Sequence, residues 1–215
     1  MPRKLPPKAD SAARPRSVPR QVRIIAGNWK RTTLPVLDAA GLRPTPDRVR
    51  ETVFSWLVHF FGERWHTLSC LDLFAGSGAL GFEAASRGAQ RTVLVEQQSV
   101  VAQQLDAIRL KLDAQQVTVQ RGDAFTVAQQ LIAAGEHFDL IFLDPPYACG
   151  LLPRMLPVCA GLLSADAIVY AEADMALDGD AAPDWMGEWE VIRSGKAGVV
   201  FFHLLQRRNR TEIQA

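Results

Sequence analysis

Between residues 68 and 172 short apolar runs alternate with amphipathic stretches, and the first such pair is joined by Asp72-Leu-Phe-Ala-Gly76-Ser-Gly78-Ala-Leu-Gly81. No other feature constrains the fold as strongly. Strands are expected at Leu68–Phe74, Arg91–Glu96, Val117–Gln120, Phe138–Leu143 and Ala167–Glu172. Between them, 3.6-residue periodicity predicts helices at Ala79–Arg87, Val100–Leu112, Phe125–Ala134 and, despite Pro153 and Pro157, Leu151–Leu163. Strands that alternate with helices form a mostly parallel sheet covered on both faces, because each parallel crossover lays its helix on the sheet. The end of the chain breaks the rhythm. Trp189–Arg193 and Val199–Leu205 flank Ser194-Gly-Lys-Ala-Gly198 and read as an antiparallel hairpin, giving seven strands in all.

At 215 residues the chain is long enough for one well-buried core. No apolar run approaches the roughly 18 residues of a membrane helix, and the N-terminus has no signal-peptide core, so the cytoplasm is the expected location. Cys70, Cys149 and Cys159 are odd in number and lack CxxC spacing, which argues for free thiols rather than disulfides or zinc. The four histidines are scattered without metal-ligand spacing.

The net charge of +1 conceals an asymmetry. Residues 1–50 hold twelve Lys/Arg against Asp10, Asp38 and Asp47, a net of +9 that leaves −8 for the remainder. A basic arm on an acidic body is an electrostatic handle for phosphates. Three segments are expected: a Pro/Arg/Ala-rich disordered tail over 1–20, a basic hairpin and helix over 21–62, and the α/β domain over 63–215. Thr45-Pro46-Asp47 reads as a helix start with Thr45 as N-cap. Arg23, Lys30, Arg31, Arg43, Arg48 and Arg50 are the candidate phosphate contacts, Arg48 and Arg50 being equally good candidates for helix-surface ion pairs.

The chemistry concentrates at strand ends. Gly76-x-Gly78-x-x-Gly81 allows a tight turn and close backbone approach to a ligand. Glu96 ends the next strand 20 residues after Gly76, placed to accept hydrogen bonds from ribose hydroxyls. On its own this pattern fits NAD as well as S-adenosylmethionine. Asp123 follows the third strand and Asp144-Pro-Pro-Tyr147 the fourth. In an open α/β sheet these carboxyl ends converge on one crevice. The Asp144 carboxylate and Pro145 carbonyl are acceptors held on a rigid corner, and Tyr147 offers a ring for stacking. Such a set suits a planar group bearing an exocyclic amine.

Asp144-Pro-Pro-Tyr147 resembles the [DN]PP[YF] motif of methyltransferases acting on nucleobase amines. Asp72 ahead of the glycines resembles the first motif of class I methyltransferases. Arg23-Ile-Ile-Ala-Gly27, Leu34-Pro-Val36, Leu42-Arg-Pro-Thr-Pro-Asp-Arg-Val-Arg-Glu-Thr-Val53 and Trp56-Leu57 are similar to the opening of bacterial 16S ribosomal RNA guanine-N2 methyltransferases of the RsmD type. The resemblance spans roughly residues 22–206. It implies a Rossmann-like class I fold with a small basic N-terminal appendage, S-adenosylmethionine as cofactor and no metal. It further implies methylation of one guanine N2 in 16S rRNA, within an assembled or assembling 30S particle, by an enzyme expected to be monomeric. On this resemblance the cofactor set is Asp72, Phe74, Gly76, Ser77, Gly78, Glu96, Asp123, Ala124 and Asp144. Asp72 would face the amino-acid end of the cofactor and Asp123 the adenine amine, while Asp144, Pro145 and Tyr147 would be catalytic. Asn28-Trp-Lys-Arg-Thr-Thr33 and Gln97-Gln98 depart from the family pattern. Competing readings are a DNA adenine-N6 methyltransferase, a NAD-binding oxidoreductase and a non-catalytic RNA chaperone. The oxidoreductase lacks a convincingly placed catalytic Lys, Tyr or His, and the intact strand-end acids argue against the chaperone.

Overall fold

The computed structural model describes residues 21–37, 45–146, 150–179 and 182–208. Two short strands, β1 (Gln21–Arg23) and β2 (Thr33–Pro35), pair antiparallel ahead of α1 (Asp47–Phe61). The main body then runs β3 (Ser69–Asp72), α2 (Ala79–Ser86), β4 (Arg91–Glu96), α3 (Ser99–Lys111), β5 (Val117–Arg121), α4 (Ala124–Ala133), β6 (Phe138–Leu143), α5 (Leu152–Cys159) and β7 (Leu163–Ala173). It closes with the pair β8 (Trp189–Ala197) and β9 (Val200–Arg207). The sheet order is β5-β4-β3-β6-β7-β9-β8, parallel from β5 through β7 and antiparallel at β9 and β8.

Burial on both faces explains why the central strands are so uniformly apolar. Successive side chains of a strand point to opposite faces. Leu71, Ile141, Leu143 and Val169 accordingly pack with Val127, Leu131, Met155 and Leu156 of α4 and α5. Their neighbours Cys70, Leu140, Phe142 and Ile168 pack on the other face with Val53, Phe54, Leu57 and Phe61 of α1. Thus α1 shares a core with the sheet. The thiols of Cys70 and Cys159 are fully buried, and burial pushes Cys159 up to about 12, so neither is a nucleophile.

Beyond shifted element ends, such as α5 stopping at Cys159 and β7 beginning at Leu163 where a helix was expected, two details differ from the sequence expectation. Thr45 does not cap α1: the N-cap is Pro46 with no side-chain cap, because the Thr45 hydroxyl is taken by two carboxyl groups of the main body. The stretch Ser194–Ala197 is strand rather than loop, and only Gly198 and Val199 separate β8 from β9. Weak strand propensity in Ser-Gly-Lys-Ala is overridden by pairing with β9, where Gly195 faces Phe202. A Cβ at Gly195 would come within 2.4 Å of the Phe202 ring, so the glycine makes room for it.

Candidate active site

Strand order reverses between β3 and β6, whose carboxyl ends open a crevice where ligands bind in sheets of this kind. A cavity of about 220 Å³ lies there, walled by Asp72, Phe74, Gly76, Ser77, Glu96, Asp123, Ala124, Asp144 and Pro145 together with the N-terminal residues Val36 and Thr45. Eight of the nine residues expected to hold a cofactor therefore share one cavity. The exception, Gly78, shapes the turn from behind: with φ of 77° it is the N-cap of α2, in the left-handed region that glycine enters without strain.

Each acid is set differently. Asp72 is buried; its Oδ2 accepts the Gly81 amide at 3.1 Å, while Oδ1 makes no well-formed hydrogen bond among the described residues, the Phe74 amide being the other donor near the carboxyl. Burial pushes its carboxyl up to about 7; Glu96 adds to the rise, and the amides of Phe74 and Gly81 oppose it. An unpartnered buried carboxyl oxygen on a cavity wall calls for a cationic or hydrogen-bonding ligand group, and an ammonium fits. Glu96 fastens two turns at once, accepting the Gly76 amide at 3.0 Å and the Gln98 amide at 2.8 Å. This second task was not legible in the sequence, and it fixes the carboxylate at the cavity wall. Asp123 caps α4 by accepting the Thr126 amide at 3.0 Å, and it lines the cavity from that position.

On the neighbouring strand, Asp144 follows β6 directly and lines the same cavity. Its Oδ2 lies 3.1 Å from the Thr45 hydroxyl, which is also 2.8 Å from Oε1 of Glu172. The Tyr170 hydroxyl donates to the same Glu172 oxygen at 2.6 Å. Burial raises the Asp144 carboxyl well above the ordinary carboxylate range, the Glu172 charge raises it further, and the Thr45 hydrogen bond opposes the rise. Pro145 and Pro146 follow on the wall, where neither backbone nitrogen carries a proton to compete for acceptors. Tyr147 lies outside the described residues, as do Arg43 and Cys149. Sequence reasoning missed the cavity-lining role of Thr45, since its partners are 99 and 127 residues away. Phe125, beside Asp123-Ala124, was within reach of the motif, whereas Leu151 and Met155 on the cavity wall carry no local signal.

The basic residues divide. Lys30, Arg31 and Arg48 are exposed, and Arg23 is exposed with an ion pair to Asp47 at 3.4 Å. Arg50 does not belong with them. Its side chain is 0% exposed, with Nη2 donating at 2.8 Å to both Asp47 and the Arg23 carbonyl, and Nη1 lying 4.0 Å from the buried Glu83 carboxylate. From there it cannot reach a phosphate; it fastens the hairpin. Glu83 also accepts the amides of Ile25 at 2.6 Å and Ala26 at 3.1 Å, so an acid of α2 holds the N-terminal arm in place. Gly27 permits the approach, since a Cβ there would sit 1.8 Å from the Ser86 carbonyl oxygen.

Among the described residues, no cluster of His, Cys, Asp and Glu could hold a metal ion, and no helix is long and apolar enough to cross a membrane. Comparison with known proteins agrees with the cavity. Residues 22–206 match the family model described as "Conserved hypothetical protein 95". The chain belongs to this family. Ribosomal RNA small subunit methyltransferase D of Escherichia coli (strain K12) is 38% identical over 197 residues, covering 91% of this chain and 94% of that protein. The protein of the same name from Haemophilus influenzae is 37% identical over 190 residues, covering 86% and 94%. A solved structure described as a putative methyltransferase yhhF from Escherichia coli superposes with a TM-score of 0.74 at 39% identity, over 87% of this chain and 98% of that one. The family fold is thus the Rossmann-like class I methyltransferase sheet, with its antiparallel strands at the carboxyl end of the chain.

Proposed function

We propose that this protein transfers a methyl group from S-adenosylmethionine to the exocyclic N2 amine of a guanine in 16S rRNA, acting as a monomer on the assembled or assembling small subunit in the cytoplasm. One observation carries the reading: Asp72 with its unpartnered oxygen and Asp144-Pro145-Pro146 with its acceptors line a single cavity from the ends of the adjacent strands β3 and β6. The 38% identity to a ribosomal RNA small subunit methyltransferase supports the choice of polymer.

S-adenosylmethionine supplies an electrophilic sulfonium methyl. The chain's residues do the rest. Asp72 takes the ammonium of the amino-acid end, Glu96 the ribose hydroxyls, and Asp123 the adenine edge. The lone pair of guanine N2 is delocalised into the ring, so the amine is a poor nucleophile until it pyramidalises. Hydrogen bonds from N2–H to the Asp144 carboxylate and Pro145 carbonyl favour the developing positive charge and aim the nitrogen at the methyl. Tyr147 stacks on a base turned out of its surroundings. Methyl transfer from tritiated S-adenosylmethionine to small subunits, and to naked 16S rRNA, from a strain lacking the gene tests the whole reading. Label absent from guanine N2 in both would end it.

Asp72 gives the binding step a pH dependence. Burial pushes its carboxyl up to about 7 in the ligand-free protein. Only the ionised form pairs with an ammonium, so affinity should fall as pH drops through that value, approaching tenfold per unit below it. Asp72→Asn should bind more weakly and lose this dependence. Calorimetry across the range checks it, and a flat wild-type profile would remove Asp72 from the site.

The exposed arm should supply the phosphate contacts. Removing the charges of Lys30, Arg31 and Arg43 together should weaken RNA binding and flatten its salt dependence by roughly 0.7–0.9 of a unit per true contact. Cofactor affinity should be unchanged, and deletion of residues 1–20 should do less. RNA affinity measured over a salt series separates the variants. A wild-type slope in the triple mutant would place recognition elsewhere.

A further inference from the structure

Thr45 belongs to the N-terminal arm, yet it is 5% exposed and its hydroxyl lies between two carboxyl groups of the sheet, 3.1 Å from Asp144 Oδ2 and 2.8 Å from Glu172 Oε1. A hydroxyl carries one proton. It donates to one of these oxygens, and the other contact closes only when that carboxyl is itself protonated and donates to Thr45 Oγ1. The Tyr170 hydroxyl, 2.6 Å from Glu172 Oε1, supplies a donor from the far side. In the ordering that leaves Asp144 an acceptor, Tyr170 donates to Glu172 and Thr45 donates to Asp144.

We infer that Thr45 and Glu172 are positioning residues for Asp144, the two carboxyls sharing one proton about the Thr45 hydroxyl so that Asp144 is held in place to accept from the substrate amine. The inference rests on the proposed reading of Asp144 as the group that meets the base. The charges facing the unit keep the shared proton on the pair, drawing it toward Asp144, which also hydrogen-bonds to the Glu172 side chain. Asp72 on β3 and Glu172 on β7 both raise the Asp144 carboxyl, and Thr45, from the segment ahead of α1, is the neighbour that lowers it. Two carboxyls this close do not both ionise readily.

The unit also accounts for the product's proton. As the N2–methyl bond forms and the sulfur–methyl bond breaks, the positive charge passes from sulfur to nitrogen. The aminium then loses its proton to the Asp144 carboxylate. The pair goes from one proton to two and is neutral, and one proton later leaves to water. Because Thr45 belongs to the arm at the head of α1, its hydroxyl ties that segment to Asp144. Arm position thereby becomes a condition for orienting Asp144.

Three variants test this, with kcat and KM measured on small subunits from about pH 5.5 to 9. Thr45→Val should lower kcat about 10- to 100-fold, the loss of a hydrogen bond to a charged group, with cofactor KM nearly unchanged. Thr45→Ser should restore most of kcat. In the wild type, loss of the shared proton at alkaline pH leaves two charged carboxylates around one hydroxyl proton, so one contact opens and kcat falls. Glu172→Gln, whose amide stays neutral, should abolish that alkaline limb. Carbon-13 NMR of the aspartate carboxyls in the ligand-free protein gives a readout independent of activity: Asp144 should titrate in two steps in wild type, and Glu172→Gln should lose the upper one. Wild-type kcat in Thr45→Val, coincident pH profiles, or an unchanged Asp144 titration would each overturn the inference. A wild-type protein without methyl transfer would instead overturn the proposed function, and the NMR titration would still decide the state of the pair.

Discussion

Asp144→Ala should lower kcat for methyl transfer by about 10²–10³-fold, the range for removing one preorganised group that faces developing charge. Most of the cofactor affinity should remain, because the groups assigned to the amino acid and ribose, Asp72 on β3 and Glu96 on β4, are untouched. Asp144→Asn should retain part of the activity, since its amide oxygen still accepts from N2–H. The asparagine also ends the competition between two carboxyl groups, so its residual rate should vary less with pH than wild type. Single-turnover methyl transfer at saturating cofactor, beside calorimetric binding of S-adenosylmethionine, separates chemistry from affinity. An Asp144→Ala enzyme with wild-type kcat would sink the mechanism. Tyr147→Ala should also lose transfer while retaining cofactor, through loss of stacking rather than of an acceptor.

Arg50→Ala should cost about 3–5 kcal/mol of folding stability, the penalty for removing one member of a buried charge cluster. The Glu83 carboxylate would keep its bonds to Ile25, Ala26 and Arg87 but lose the cation 4.0 Å away. The Arg23 carbonyl and Asp47 would each lose a 2.8 Å donor. At about 2–4 °C per kcal/mol for a chain of this size, Tm should fall by roughly 6–20 °C. Arg48→Ala, one turn face away and exposed, should leave Tm within about 1–2 °C, as surface substitutions do. Thermal unfolding followed by circular dichroism compares the two. Equal, small shifts would return Arg50 to the surface set.

That contrast shows where reading the sequence stops. Arg48 and Arg50 stand two residues apart in the same basic run, and nothing local distinguishes them. On a helix, two residues apart means opposite sides, and which side is buried depends on where the sheet lies. Glu83 and Ser86 look like the polar positions of an ordinary helix, yet they hold the amides and carbonyl of the N-terminal arm. Thr45 reads as a helix cap because Thr-Pro-Asp is a common helix start, and it is instead drawn to carboxyls more than 90 residues away.

Local periodicities and turns are legible residue by residue in the chain. Arg91–Glu96 and Phe138–Leu143 fall on the strands as read, because apolar runs of that length admit burial on both faces. Gly76 and Gly78, with φ of 49° and 77°, occupy positions their residue type announces. Asp72, Glu96, Asp123 and Asp144 were legible as a set because strand ends in a parallel sheet point to one edge, so order along the chain becomes proximity in space. The tertiary structure alone decided which acid is left with an open oxygen, which arginine is buried and which hydroxyl meets Asp144. Those outcomes depend on desolvation and on partners distant in sequence, and both arise only when the arm, α1 and the sheet are packed together.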